Sequence, residues 1–396
     1  MQVLVLTKEG SLKLKRKERS LYKKDFNDLS RSYLPGEWCI FFNERTKEHY
    51  AGFINLHVKD NWPIAFMVEP LEDEKNYLPW DLIQKKIIKA IEYRNYFHFE
   101  QNCRLVYGEN DDLPGLIIDQ FENVLLIQLN TAGLDQFRNE IKNFIQSRFP
   151  SKLVFLLDQP SYREAESLPN FQEPNLNQTI SIIENGLKLE VSSQVLQKVG
   201  YYFDHRFNRQ KVCDFISQSH FKKSKGLDLF SYVGSWGLHL LKAGVQQVHF
   251  VDQGNFQESI HRNASLNHFE GRASFSRGDC FQYLEQCEQK KEFFDVICSD
   301  PPAFTKTASG KTKALEGYSK LHTKVLKCLN PKSLAVIGSC THYVSLQELD
   351  QTMQDAASRV GKEIRLLDLG LQGADHPIRS LADKSNYIKY LLYFVE

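Results

Sequence analysis

Three acids and one cysteine stand out because each ends a predicted strand in the second half of the chain. Asp252 ends QQVHFVD, Asp279 ends RASFSRGD, Asp300 ends FFDVICSD and Cys340 ends SLAVIGSC. A further run, GLDLF, leads into SYVGSWG, where Gly234 permits a tight turn and a close approach of the backbone to a ligand. Each residue alone has an ordinary explanation as a helix cap, a turn or a buried thiol. Five such runs in succession favour a shared site.

The elements that must position these residues are strands and helices that alternate regularly after about residue 190. This alternation predicts an α/β domain with a parallel sheet and helices on both faces. Ligands of such sheets bind outside the carboxyl ends of the strands, near the point where the strand order reverses. The ends of the five runs are therefore expected to meet at one edge.

The loop after GLDLF indicates the class of ligand. It lacks the G-x-G-x-x-G pattern because Tyr232 and Val233 occupy part of it, and this disfavours a dinucleotide and an oxidoreductase. A nucleoside without a pyrophosphate fits better. S-adenosylmethionine would place its ribose at Asp252, its adenine amino group at Asp279 and its amino-acid tail at the Gly234 loop.

A rigid turn follows Asp300, because Pro301 and Pro302 come next. Proline fixes its own φ angle, has no N–H to donate and pushes the preceding residue towards an extended shape. The chain is therefore expected to leave the sheet in a fixed, presented turn.

The length of 396 residues exceeds one ordinary domain, and we expect three. They are a β-rich module over residues 1–70, an α+β section over 73–188 and the α/β section over 190–396. Helical spacing of apolar residues predicts helices over 79–97 and 134–149. The Asn-Gly pair in TISIIENGLKLEV predicts a β-hairpin.

The composition excludes several classes of protein. The eight cysteines are scattered singly, without the paired spacing of a zinc site, so reduced thiols and no metal are expected. No apolar run approaches the roughly 20 residues that a membrane span needs, and the start lacks a signal-peptide pattern. These features favour a cytoplasmic protein without a membrane partner.

Two basic stretches contrast with the formal net charge of only +1. LKLKRKERSLYKK holds seven basic residues against one acid, and TKTASGKTKALEGYSKLHTKVLK, which includes Lys306, holds six lysines against Glu316. Local patches of this kind bind phosphates, or they are solvated faces, and the sequence leaves both readings open.

Taken together, these motifs resemble a known family. QKVGYYFDHRFNR (197–209), LDLFSYVGSWG, VDQ, DPPAF and SCTH occur in the order seen in the bacterial and archaeal class I methyltransferases that form 5-methylcytosine in large-subunit ribosomal RNA. RLVYGENDDLPGLIIDQF (104–121) is similar to that family's central-domain signature, and the N-terminal module is similar to its PUA domain. The resemblance implies a Rossmann-like methyltransferase sheet, an N-terminal β-rich PUA-like domain and a central α+β domain.

The resemblance also implies which residues flank S-adenosylmethionine. They are Gln197, Tyr202, Asp204, Arg206, Asn208, Arg209, Phe230, Ser231, Gly234, Asp252, Asp279 and Asp300. The chain departs from the family at three positions, where Val199 replaces the usual Thr, His205 the usual Gln and Ala303 the usual Lys.

The implied reaction suits Cys340 and Asp300. Carbon 5 of cytosine becomes nucleophilic enough to accept a methyl group when a thiolate adds to carbon 6. Cys340 is the expected nucleophile, on a strand beside that of Asp300, which would hydrogen-bond the base. The base that removes the carbon 5 proton is not evident, since Cys298 reads as a core residue and His342 as a loop residue.

The remaining substrate contacts are expected just beyond Asp300. Pro301 and Pro302 would form one wall of the base pocket, and Lys306 would contact phosphate. Phe304 would stack on a base, although plain packing is an equal alternative.

Two other functions stay open from the sequence. An RNA N-methyltransferase also uses proline pairs after an acid but needs no thiol, and a non-catalytic RNA-binding assembly factor could keep the same fold. For the methyltransferase, the expected partner is rRNA with a single-stranded or flipped-out cytosine. A homodimer is a further possibility.

Overall fold

The computed structural model describes residues 1–16, 18–72, 77–99, 101–171, 179–192, 200–381 and 385–396. These residues form two compact units, of which one holds most of residues 1–180 and the other holds residues 181–192 and 201–396. The predicted partition into three domains stays a prediction. Within the described ranges, no helix is both long enough and apolar enough to cross a bilayer.

The described part of the first unit begins with a five-stranded sheet in the order β1-β3-β4-β5-β2. Its strands are β1 (Val3–Val5), β2 (Ser20–Leu21), β3 (Glu37–Asn43), β4 (Glu48–Ile54) and β5 (Ala65–Leu71). Only β1 and β3 pair in parallel among these strands. Helix α1 (Lys8–Lys15) is capped by Thr7, whose hydroxyl accepts from Gly10 N at 3.2 Å. The β-rich character predicted for residues 1–70 is confirmed.

A second sheet in this unit has four described strands in the order β6-β7-β8-β9. They are β6 (Cys103–Tyr107), β7 (Leu116–Gln120), β8 (Val124–Leu129) and β9 (Leu153–Leu156). The accompanying helices are α2 (Pro79–Tyr96), α3 (Ala132–Asp135), α4 (Arg138–Arg148) and α5 (Pro160–Ala165). Helix α2 agrees with the helix predicted over 79–97.

The single helix predicted over 134–149 is wrong, because α3 and α4 are separate. Phe137 leaves the helical region at the break, with φ −102° and ψ 22°. Its ring packs against Trp38 and Trp80, with centroids 6.2 and 6.0 Å away. Packing of this ring outweighs the local helix propensity.

The second unit includes the predicted hairpin, formed by β10 (Thr179–Glu184) and β11 (Leu187–Ser192). The two turn residues, Asn185 and Gly186, have φ angles of 50° and 78°. Positive φ at both central residues is the requirement of the hairpin turn that favours Asn-Gly. The hairpin prediction is confirmed.

The main sheet of the second unit has seven described strands in the order β14-β13-β12-β15-β16-β18-β17. They are β12 (Lys225–Leu229), β13 (Gln247–Asp252), β14 (Ala273–Arg277), β15 (Phe294–Ser299), β16 (Leu329–Cys340), β17 (Ile364–Gly370) and β18 (Ile388–Val395). The five predicted strands β12 to β16 are parallel, and β18 runs antiparallel between β16 and β17. The predicted α/β class is confirmed, and the strand order reverses between β12 and β15.

Helices cover this sheet. They are α6 (Arg206–Gln218), α7 (Ser235–Lys242), α8 (Gln257–Leu266), α9 (Cys280–Lys290), α10 (Lys311–Lys327) and α11 (Leu346–Val360). Alternate strand residues such as Leu227, Leu229 and Ile297 share one buried cluster with residues of α9, α10 and α11. The intervening residues include Asp228 and Phe250, which contact α7 on the opposite face.

Candidate active site

The predicted site residues meet at the carboxyl edge of the parallel strands. Leu229, at the end of β12, lies in register with Ser299 at the end of β15, and Ser299 lies in register with Ile337 of β16. β13 ends at Asp252, and β16 ends at Cys340. The predicted adjacency of the strands carrying Asp300 and Cys340 is confirmed. Gln197 lies outside the described residues.

The loop between β12 and α7 has an unusual backbone. Phe230, Tyr232 and Gly234 have φ angles of 58°, 49° and 92°, in the left-handed region that side chains other than glycine rarely occupy. Such conformations cost free energy and persist where the surrounding structure holds them, often at binding sites. Here Ser231 N donates to Val251 O at 3.1 Å, and Gly234 N donates to Ser231 O at 2.8 Å.

Asp252 is an oriented acceptor beside this loop. Its carboxylate accepts from Tyr232 N at 3.0 Å and from Gly254 N at 2.8 Å. The Tyr232 ring lies edge-on to Tyr202 and Phe256, with centroids 5.3 and 5.1 Å away. Each carboxylate oxygen keeps a further lone pair, so Asp252 can still accept hydrogen bonds from ribose hydroxyls.

Asp279 is the N-cap of α9, which is the ordinary explanation for an acid at this position. Its side chain accepts from Gln282 N at 3.0 Å and from Gln253 Nε2 at 3.0 Å. The cap orients the carboxylate at the end of β14 without using all of its acceptor capacity.

Tyr202 and Asp204, both in the 201–209 segment, offer a ring and a polar atom to a ligand. Tyr202 is 41% exposed. Asp204 accepts from the Tyr387 hydroxyl at 2.7 Å through Oδ2, while its buried Oδ1 has no hydrogen-bond partner among the described residues. Buried acceptors are normally satisfied, so the free Oδ1 indicates a missing partner.

The polar side chains of Asn208 and Arg209, in the same segment, are hydrogen-bonded to other protein atoms. Arg209 donates to both oxygens of Glu184 at 2.6 and 2.9 Å and to Tyr202 O at 2.7 Å. Asn208 donates to Leu371 O at 3.0 Å. Sequence reasoning missed Glu184, which reaches Arg209 from the hairpin, 25 residues earlier in the chain.

The pair of Glu184 and Arg209 is fully buried. Burial acts to raise the pKa of Glu184, but the charge and hydrogen bonds of Arg209 lower it below its ordinary value. The nearby His239 is neutral, because burial lowers its pKa to about 4. Arg206, at the start of α6, lies over the Phe203 ring at 5.0 Å.

Asp300 lies at the centre of the edge. Its Oδ2 accepts from Trp236 Nε1 at 3.1 Å and lies 3.5 Å from His205 Nε2. Burial acts to raise the pKa of Asp300, but His205 and Trp236 together hold it below its ordinary value, so the group is a carboxylate. Gly338 makes room for it, since a Cβ there would lie 2.4 Å from Asp300 Oδ1.

Cys340 is the one residue among the eight cysteines that is not fully buried, and all eight lie in described ranges. Its Sγ donates to Pro301 O at 3.5 Å. Burial and then the carboxylates of Asp300 and Asp204 raise the pKa of the thiol to about 12. Cys298 is 1% exposed within β15, and its interpretation as a core residue is confirmed.

The turn after Asp300 is fastened to the end of β16. Thr341 Oγ1 donates to Thr305 O at 3.2 Å. The Phe304 ring packs against Tyr318 and Phe281, with centroids 4.6 and 6.4 Å away, which fits the packing alternative. Pro301 is buried, whereas Pro302, Lys306 and His342 are exposed.

Sequence reasoning missed Asp228 and Lys389. Asp228 is buried in β12, accepts from Gly237 N at 2.8 Å, and has its pKa raised by burial to about 8. Lys389 Nζ donates to the carbonyls of Thr341, Asn386 and Tyr387 at 2.5, 3.2 and 3.4 Å. Lys389 could have been noticed in the sequence, because a lysine inside an apolar run such as YIKYLLYFV is unusual.

The strand order, the bent loop after β12 and the polar strand ends define a class I methyltransferase fold. A profile described as S-adenosylmethionine-dependent methyltransferase matches residues 109–354. The chain belongs to this family, and S-adenosylmethionine is its cofactor. No group of three or more potential metal ligands occurs in the described part of the chain.

Curated relatives and solved structures agree with this assignment. The chain is 31% identical over 292 residues to "Ribosomal RNA large subunit methyltransferase I" of Klebsiella pneumoniae (strain 342), covering 72% of each. It is 29% identical over 332 residues to the Escherichia coli O127:H6 protein of the same name, covering 82% of this chain and 79% of the relative. A putative methyltransferase from Streptococcus mutans has the same fold at 18% identity, with a TM-score of 0.78 and full coverage of both chains.

The residues at the edge fit the cofactor. Besides Asp204 Oδ1, the buried Ser231 Oγ has no hydrogen-bond partner among the described residues. At Gly237 a Cβ would lie 2.2 Å from Phe250 Cε1, so the start of α7 can lie close to β13 only with glycine there. A bent loop that opens a helix, two unsatisfied polar atoms and the oriented Asp252 are the contacts that an amino acid linked to a nucleoside needs.

Proposed function

We propose that this protein forms 5-methylcytosine in large-subunit rRNA through a covalent bond between Cys340 and the base. The observation that carries the proposal is the placement of Cys340, a residue that is not fully buried and whose sulfur lies 3.5 Å from Pro301 O. The names of the curated relatives support large-subunit rRNA as the substrate. Methylation at carbon 5 is inferred from the presence and position of Cys340.

Cys340 performs the chemistry that carbon 5 requires. Its thiolate adds to carbon 6, and the electron pair of the ring double bond becomes available at carbon 5. S-adenosylmethionine supplies the methyl group when bound. Transfer of the carbon 5 proton to water or another base then restores the double bond as the bond from sulfur to carbon 6 breaks, and Cys340 leaves as a thiolate.

Asp300 holds the base in the proposed reaction. As a carboxylate fixed by Trp236, it accepts a hydrogen bond from the exocyclic amino group and stabilises positive charge at the N3 side of the ring as the adduct forms. Pro301 and Pro302 keep the adjacent backbone rigid, so Asp300 and Cys340 are held at a fixed separation.

In the proposal, Asp300 holds the base, and the other predicted cofactor residues divide into three sets. Direct contacts are assigned to Tyr202, Asp204, Phe230, Ser231, Gly234, Asp252 and Asp279. Asn208 and Arg209 act by holding the segment before α6, because their polar groups are bonded to protein atoms. Gln197 and Arg206 remain predicted contacts.

RNA binding is proposed for the β-rich sheet of β1 to β5, as a PUA-like module, and for the lysines around α10. Lys306, Lys313 and Lys320 are exposed and make no ion pair among the described residues. Such lysines attract phosphates without reading sequence. A cytosine must be unpaired or flipped out to reach Cys340.

The test combines a mechanism-based substrate with cysteine variants. An rRNA fragment that carries 5-fluorocytidine has no carbon 5 proton to lose, so the wild-type protein should form a stable covalent complex with it on denaturing gels. Cys340→Ala should abolish both the complex and methylation. Cys213→Ala, on α6, is the control and should retain both.

An active Cys340→Ala variant would contradict the proposal and favour the RNA N-methyltransferase. Bisulfite mapping of rRNA from cells with and without the gene gives an independent readout. One cytosine should lose its protection when the gene is removed or carries the Cys340→Ala change.

A further inference from the structure

Lys389 is a buried ammonium close to the nucleophile. It lies on β18 directly opposite Ser339, the residue before Cys340 in β16. It is 4% exposed, and its Nζ donates to Thr341 O at 2.5 Å, one residue after Cys340. Its other two bonds go to Asn386 O and Tyr387 O. Three carbonyl acceptors match the three N–H donors of the ammonium form, which has no lone pair for use as a base.

This cation lacks an acidic partner. Its acceptors are neutral carbonyls, and within the described chain it forms no ion pair with a carboxylate. A buried charge without a counter-charge is costly. Burial lowers the pKa of Lys389 to about 8, and Cys340 is the group that acts in the opposite direction. The pairing of β16 with β18 and the bond to Thr341 O place this ammonium beside the end of the strand that carries Cys340.

The other charged groups that face Cys340 oppose a thiolate. Asp300 and Asp204 both raise the pKa of the thiol. Two phenols, Tyr202 and Tyr318, are also electrostatically coupled to the sulfur, and neither supplies positive charge. His205 faces Asp300. A cation favours a thiolate at this position, and Lys389 is a cation held beside the end of β16 by its bond to Thr341 O.

We propose that Lys389 is a positioning residue for methyl transfer: it fixes the segment after Cys340 and supplies the positive charge that favours the thiolate. This inference rests on the proposed function, because it gives the thiol a chemical role. Lys389 also ties Thr341 to Tyr387, whose hydroxyl donates to Asp204. One side chain thereby connects the cysteine strand to a predicted cofactor contact.

The charge of Lys389 can be removed while the size of the side chain is kept. In Lys389→Met, the rate at which iodoacetamide alkylates Cys340 near pH 8 should fall about tenfold, which corresponds to a pKa rise of about one unit. The readout is mass spectrometry of the Cys340 peptide over a series of pH values. Lys389→Arg should restore most of the rate because it keeps the charge. Lys389→Gln serves as a second neutral variant if the Met variant does not fold.

Lys362 provides a matched control. Its Nζ donates to Leu326 O and Leu329 O at 2.7 and 2.6 Å, and burial lowers its pKa too. Lys362→Met should lower the melting temperature and leave the alkylation profile unchanged. A Lys389→Met protein that loses stability but keeps the wild-type pH profile would overturn the inference.

The test of Lys389 and the test of the proposed function can fail independently of each other. Full activity of Cys340→Ala would refute covalent catalysis whatever the alkylation profile shows. A covalent complex with 5-fluorocytidine RNA, together with an unchanged alkylation profile in Lys389→Met, would refute only the role of Lys389.

Discussion

At the scale of single residues, Asp228 shows how a buried carboxyl couples the fold to pH. It lies in the central strand β12 with 0% exposure, and its Oδ1 has no hydrogen-bond partner in the described part of the chain. Burial raises its pKa from 3.8 to about 8. The folded protein therefore keeps this proton at pH values where the unfolded chain has released it.

The sign of the resulting pH dependence follows from proton counting. Between pH 4 and 8 the folded state binds one more proton at Asp228 than the unfolded state, so its contribution to stability is lost as the pH rises. Asp228→Asn keeps an acceptor for Gly237 N and removes the titration. As the pH rises, the free energy of unfolding of this variant should increase relative to that of wild type by up to about 1.4 kcal/mol per pH unit. Urea unfolding at pH 5.5, 6.5 and 7.5 measures this, and parallel pH curves would contradict it.

The residues at the strand ends could be predicted, because the end of an apolar run is visible in the sequence. Asp252, Asp300 and Cys340 were placed at one edge by this rule. The partners of these residues could not be predicted from the sequence, since Trp236 and Lys389 reach the site from other elements. Contacts between elements depend on packing that no local pattern encodes.

At the scale of elements, the β10–β11 hairpin carries two ion pairs of contrasting burial. Glu184 and Arg209 have side-chain exposures of 0% and 2%, whereas Glu190 and Arg262 have exposures of 26% and 56%. Both pairs use two hydrogen bonds between carboxylate and guanidinium. The difference between them is therefore mainly solvent access.

Glu184→Gln should destabilise the protein by about 3–5 kcal/mol, because it leaves Arg209 buried without its counter-charge. Glu190→Gln, on the same hairpin, should cost about 0–1 kcal/mol. Denaturant unfolding of the two variants measures the contrast. Equal losses would show that burial does not govern these pairs. Activity should also fall in Glu184→Gln, since Arg209 holds Tyr202 O.

Some elements were predictable from local signals, and others were not. The hairpin could be predicted from Asn185 and Gly186, because their preference for this turn is local and does not depend on packing. The break between α3 and α4 depends on Phe137 packing against two tryptophans, which residue spacing does not reveal. β17 and β18 were not assigned, because their antiparallel pairing departs from the regular alternation.

At the scale of the whole molecule, charge is balanced overall and uneven locally. The formal net charge is +1. Of the six lysines in residues 305–327, three are paired with glutamates. These are Lys311 with Glu348, Lys324 with Glu285 and Lys327 with Glu288. The other three, Lys306, Lys313 and Lys320, are exposed and form no ion pair in the described ranges.

Replacing these three exposed lysines by glutamine should weaken binding of the proposed rRNA substrate and reduce its salt dependence. The slope of log affinity against log salt should become less negative by up to about 2, since each phosphate contact on a single strand contributes about 0.7. Filter binding at several salt concentrations measures the slope. The control replaces the three paired lysines, whose charges are already compensated, and equal slopes for both variants would argue against this face.

The position of β18 has a consequence for biosynthesis. Ile388–Val395 is inserted between β16 and β17, although both neighbours precede it in the chain. During translation, β16 and β17 leave the ribosome with a strand-wide gap between them, and their inner edges cannot pair until residue 395 has emerged. Closure of this sheet therefore waits for a strand that follows both of its neighbours in the chain. Lys389 lies on that same strand, so its proposed role predicts that a nascent chain becomes active only after synthesis has passed it.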